Sequence, residues 1–135
     1  MKIHKWLILA LPVSFFALLT SCDKTDTSKV PPKLMLVKPE YYDEFKSNKP
    51  IPVEVYAKDI NGLKDLTVKV RRLVPDSMLY DKTFDLSGKT EYTFRDTVRA
   101  GVYLPHKTAA ITVSISAHNE AGIERSISTQ FNVNP

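Results

Sequence analysis

The chain has 135 residues, 43% of them hydrophobic, a formal charge of +4 and a single cysteine. That length holds one domain around one modest core, and one cysteine excludes an internal disulfide framework. So small a positive surplus gives no argument for a nucleic-acid partner, and none is expected.

Lys2 and Lys5 precede an apolar run over residues 6–19, interrupted only by Pro12 and Ser14. The run is short of the roughly 20 apolar residues of a membrane span, and with its basic flank it reads as an export signal. After Cys22 the composition turns polar at once. The residues Leu19-Thr20-Ser21-Cys22 resemble the lipobox of bacterial lipoproteins. The resemblance implies that the Cys22 thiol receives a diacylglycerol, that the chain is cut before Cys22, and that the new amine takes an acyl chain. No other cofactor is implied. The expected organisation is a signal peptide over 1–21, the lipidated cysteine and a flexible tether over 22–32, and a globular domain over 33–135.

Cleavage would leave 114 residues, remove the only tryptophan, Trp6, and lower the formal charge to +2. Residues 23–32 carry one apolar residue, Val30, besides their prolines; extended, ten residues reach on the order of 30 Å, enough to clear lipid headgroups. The expected location is therefore the bacterial cell envelope, lipid-anchored. Asp23 next to the cysteine resembles an inner-membrane retention signal of enteric bacteria, whereas acidic residues there mark surface export in other Gram-negative groups. The outer membrane is favoured over the inner.

From Lys33 onward the pattern is one of short alternating runs separated by turn residues, with no sustained helical period. Residues 34–37 make a first strand, ended by Pro39. Over residues 52–59, Val53, Val55 and Ala57 share one face and Glu54, Tyr56 and Lys58 the other. Asn61-Gly62 is a turn signal, after which Leu66, Val68 and Val70 alternate with Thr67, Lys69 and Arg71 up to Pro75. Residues 79–86 form a strand whose faces the pattern does not assign. Beyond Ser87-Gly88, Tyr92 and Phe94 alternate with Thr93 and Arg95. Ile111, Val113, Ile115 and Ala117 then oppose Thr112, Ser114, Ser116 and His118. After a turn at 119–122, the last strand sets Ile127, Thr129, Phe131 and Val133 against Ser126, Ser128, Gln130 and Asn132. About seven half-apolar strands in some 100 residues bury their faces best as two packed antiparallel sheets. The fold class is all-β, an antiparallel β-sandwich.

Two stretches carry a further resemblance. Residues 53–70 are similar to strand B, the B–C turn and strand C of bacterial immunoglobulin-like and fibronectin type III-like domains, and residues 111–122 with the strand after them are similar to strands F and G. The resemblance implies an immunoglobulin-like sandwich. The chain departs from it in lacking the B–F cysteine pair and the strand-C tryptophan, and in placing Ile111 where fibronectin-type domains often carry a corner tyrosine. Fold of this kind says little about function.

Catalysis is not expected. Beyond the signal there are only His106 and His118, no second cysteine, and no phosphate loop or paired-carboxylate motif. Asp59, Asn61, Asp65, Asn119 and Glu120 fall in loops that an immunoglobulin-like order brings to one end, where their oxygens could meet a hard cation. Their spacing is not that of a calcium loop, and Asp and Asn in turns ordinarily bond their own backbone. No metal is therefore expected. Tyr41, Tyr42 and Phe45 could form a sugar-stacking platform or could cap the end of the sandwich.

The final strand should lie at a sheet edge, and from Ser126 to Pro135 it has no charged residue to guard it. Either the first strand folds across this edge and covers it, or Ser126, Ser128 and Gln130 mark a place where a partner strand adds. The expected function is a non-catalytic envelope lipoprotein that presents its domain for protein–protein binding or assembly. The alternative is a glycan-binding surface lipoprotein of a nutrient-capture system.

Overall fold

A computed structural model describes residues 29–41, 43–101 and 107–135. The expected signal peptide, Cys22, the first part of the tether, and Tyr42 lie outside the described residues. Among the described residues six strands occur in the order β1 (Lys33–Lys38), β2 (Phe45–Lys46), β3 (Pro50–Leu73), β4 (Asp76–Arg99), β5 (Ala109–Asn119) and β6 (Glu124–Asn134).

The expected count of about seven is met differently from a row of separate strands. β3 and β4 are each 24 residues long, and each bends to give one arm to each of two layers. In the first layer, residues 50–58 of β3 pair antiparallel with β1 on one side and with the second arm of β4 on the other. In the second layer, residues 63–73 of β3 pair with the first arm of β4 and with β5; β5 pairs with β6, and β6 with β2. The layers are thus β1–β3–β4 and β4–β3–β5–β6–β2. This is an all-β, predominantly antiparallel, sandwich-like fold.

Alternation explains the core. Ile51, Val53, Val55 and Ala57 are fully or nearly fully buried from the first arm of β3, and Leu66, Val68 and Val70 from the second. The buried positions are odd-numbered before the bend and even-numbered after it. The phase changes because Leu63 faces Asn119 and Asp65 faces His118 in β5, leaving Lys64 as an extra residue in the ladder. Such a bulge turns the strand and reverses which side chains point inward. Ile111, Val113, Ile115 and Ala117 of β5 and Phe131 and Val133 of β6 complete a single buried cluster with Leu34 of β1.

The strand whose faces the sequence did not assign has the same explanation. Val70 faces Tyr80 and Arg71 faces Met78, so Leu79 is an extra residue that breaks the two-residue period. Beyond it, Tyr80 and Phe84 from the first arm of β4 meet Tyr92 and Phe94 from the second, with ring centroids 5.2 to 6.4 Å apart. β4 therefore folds over itself and closes one side of the sandwich with its own aromatic rings. Its outer positions carry cross-strand ion pairs to β3, Arg95–Glu54 at 2.8 Å and Lys58–Glu91 at 2.5 Å.

Among the described residues two charged side chains are buried, Asp59 and Arg72. Arg72 continues the inward even-numbered series of β3 yet is only 7% exposed. Its guanidinium donates from Nε to the Pro75 carbonyl and from Nη1 to the Ala100 carbonyl, both at 3.1 Å, so the charge is offset by backbone oxygens that have left their ladders.

Candidate protein-binding edge

The other side of the sandwich, between β1 and β6, is closed only in part. β1 forms no hydrogen-bonded ladder with the last strand, although the two lie close to each other; it pairs with β3 in the opposite layer, from Lys33 opposite Lys58 to Lys38 opposite Glu54. The cover comes instead from β2, a two-residue strand too short to carry a sequence pattern. Phe45 lies opposite Val133 and Lys46 opposite Asn134, in parallel, and the Ser47 amide donates to the Asn134 carbonyl at 2.7 Å. Phe45 is held there by an edge-on contact with Phe131, centroids 5.2 Å apart. Of the aromatic group 41, 42 and 45, Phe45 thus serves the core, and Tyr41 is 67% exposed.

Upstream of Val133, β6 pairs only with β5 among the described strands. Ser114 faces Ser128, Ser116 faces Ser126, and Thr112 faces Gln130. Ser126, Ser128 and Gln130 are exposed, as their alternation requires. On the outer face of this layer Thr67, Lys69, Ser114, Ser116, Ser126 and Ser128 border a shallow concavity of about 360 Å³, floored by small hydroxyl side chains.

Beside the same edge lies a groove of about 300 Å³ bordered by Leu36, Pro39, Glu40, Tyr41 and residues 127–129. Leu36 and Ile127 pack against the core but are only partly buried. The inward side chains of β6 are buried near β2 and half-covered away from it, because β2 stops after two residues. An additional strand laid along β6 would complete both the hydrogen-bond ladder and the cover over these two side chains.

The candidate cation ligands expected in loops lie mostly in strands, Asp59, Asn61 and Asp65 in β3 and Asn119 at the end of β5, and their oxygens have local partners. Asp59 Oδ1 accepts from the Asn61 amide at 2.8 Å, and Asp59 Oδ2 accepts from Asn119 Nδ2 at 3.2 Å. Asn119 Oδ1 accepts from the Ile123 amide at 2.9 Å, closing the turn before β6. Asp65 Oδ1 lies 2.8 Å from His118 Nδ1, and the Glu120 amide donates to the Gly62 carbonyl at 3.0 Å. The five residues share one end of the sandwich as expected, but as turn-forming and cross-strand groups. Among the described residues no set of three or more His, Cys, Asp or Glu is placed to hold a metal ion.

Two features escaped the pattern. The inward Arg72 could have been suspected from its place after Leu66, Val68 and Val70, whereas β2 left no trace in the alternation. The chain matches no protein-family model and no curated protein sequence.

Proposed function

We propose that this chain is an exported lipoprotein anchored through Cys22, whose immunoglobulin-like domain binds another envelope protein by strand addition to β6. The supporting observation is the edge itself. Among the described residues β6 has a hydrogen-bonded strand on its outer side only at Val133 and Asn134, it is uncharged from Ser126 onward, and its half-covered Ile127 faces a groove shared with Leu36. A partner strand there gains backbone hydrogen bonds for affinity and an apolar groove for specificity.

Lysine on the exposed positions 126, 128 and 130 tests this. The triple variant Ser126→Lys, Ser128→Lys, Gln130→Lys should fold with an unchanged melting temperature and lose the partner that co-purifies from envelope extracts. Retained partner binding would refute strand addition. The anchor is tested separately: Cys22→Ala should block lipidation and release the protein from membranes, and a variant that still sediments with them in a detergent-sensitive way would contradict it.

A second reading has one observation in its favour. The exposed Tyr41 ring borders the β1–β6 groove, where it could stack on a sugar face. Binding of polysaccharides that disappears with Tyr41→Ala and survives the lysine triple variant would favour that reading.

A further inference from the structure

The end of the sandwich where the chain enters carries apolar side chains of its own. Ile60, on the bend of β3, is 77% exposed, and Val30, just before β1, is 51% exposed. With Pro31, Lys33, Lys58 and Asp59 they border a groove of about 280 Å³. Val30 is fixed there rather than trailing: its carbonyl accepts from Asn119 Nδ2 at 3.1 Å, and Pro32 is buried. The last residues of the expected tether are therefore seated on the domain.

We infer that this end of the domain rests on the lipid bilayer, with Ile60 and Val30 in the headgroup region. The inference depends on the lipoprotein reading above and adds an orientation to it. Seven residues lie between Cys22 and Val30, so the eight residue steps reach at most about 28 Å. So short a link keeps this end at an effective concentration on the order of millimolar or more beside the membrane, and even a small apolar contact is then made most of the time. The charge pattern suits a phospholipid surface. Lys33 flanks the groove, so its alkyl stem can lie along it while its ammonium group reaches headgroup phosphates; Lys58, opposite it, is held by Glu91 and adds only its stem. Two nearby carboxylates are engaged within the domain: Asp59 with the Asn61 amide and Asn119, and Glu91 with Lys58. Glu120 stays exposed on the adjoining loop. The opposite end holds the turn after β3, with Val74 70% exposed, and the C-terminus of β6. Seating the entry end leaves the β6 edge running up the side of the domain, open to a partner.

Tryptophan probes test the orientation. The chain's only tryptophan is Trp6, in the segment expected to be removed, so Ile60→Trp and Val74→Trp each give one reporter on an exposed site. The membrane-purified proteins are reconstituted into phosphatidylethanolamine–phosphatidylglycerol vesicles containing lipid brominated on its acyl chains, and intact mass is measured on the same samples. Ile60→Trp should emit at shorter wavelength and lose most of its emission to the brominated lipid, while Val74→Trp keeps a water-exposed spectrum and is not quenched. Quenching no greater for Ile60→Trp than for Val74→Trp, in protein whose mass shows acylation, would overturn the seating and leave the anchor intact. A mass without acyl chains would instead overturn the lipoprotein reading. The same probes on a Trp6→Phe background, with vesicles added to that unacylated chain, would then decide the seating alone: quenching confined to Ile60→Trp sustains it, and none refutes it.

Discussion

Asn119 donates from Nδ2 to Asp59 Oδ2 at 3.2 Å across sixty residues of chain, and it is completely buried. The same amide group holds the Val30 carbonyl, and its oxygen takes the Ile123 amide. One side chain thus ties the chain entry, the bend of β3 and the turn between β5 and β6. Each partner is left without its bond if the amide is removed, and a buried polar group so orphaned costs about 1–3 kcal/mol.

Asn119→Ala is therefore expected to destabilise the domain by about 2–4 kcal/mol, measured by urea unfolding. Amide exchange should rise first at residues 59–61 and 119–123. A loss below about 0.5 kcal/mol, the range of a neutral surface change, would show that the three contacts are dispensable.

The two bends of the long strands are in contact through glycine. Gly62 has φ +96°, and a Cβ there would lie 3.0 Å from the Gly88 carbonyl oxygen and 3.1 Å from Gly88 Cα. Both the left-handed backbone and the facing main chain oppose a side chain. Gly62→Ala should lower stability by about 2–3 kcal/mol. Gly122 has φ +79° but nothing within 4 Å of a Cβ, so Gly122→Ala should cost less, about 1 kcal/mol. Thermal melts of the two variants compare backbone strain alone with strain plus collision, and equal losses would contradict the close approach of the bends.

Tyr80 gives the domain an alkaline limit. Burial against the β4 rings, reinforced by the hydrogen bond its hydroxyl donates to Asp96 Oδ2, raises its pKa from 10.0 to about 12. A raised pKa means that folding favours the neutral phenol. The stabilisation is complete below about pH 10, the value for the unfolded chain, and is lost as pH rises through about 12. Urea unfolding between pH 9 and pH 11.5 should show stability falling across the upper part of that range, and Tyr80→Phe should flatten the fall. An identical pH profile in the variant would assign the alkaline loss elsewhere.

Much of the fold was legible because alternation is a local property. Val53, Val55 and Ala57, then Leu66, Val68 and Val70, then Ile111 through Ala117 announce half-buried strands by residue type alone, since a pleated strand sends every second side chain to the same face. Turn chemistry at Asn61-Gly62 and Ser87-Gly88 marked where the two long strands bend. The class of fold and the inward face of β5 and β6 were therefore decided by neighbours in sequence.

What the tertiary structure decided was pairing. Nothing local tells β1 to stay with β3 and leave the edge of β6 to a two-residue strand, because that choice compares contacts among residues about ninety positions apart. The bulges at Lys64 and Leu79 become visible only against a partner strand, which is why residues 79–86 had no readable face. Arg72 occupies an inward position that charge alone would forbid, and it is tolerated because the carbonyls of Pro75 and Ala100 arrive there from other parts of the chain. The same holds for Asn119: the sequence marked a turn residue, and folding made it the point where three separate segments meet.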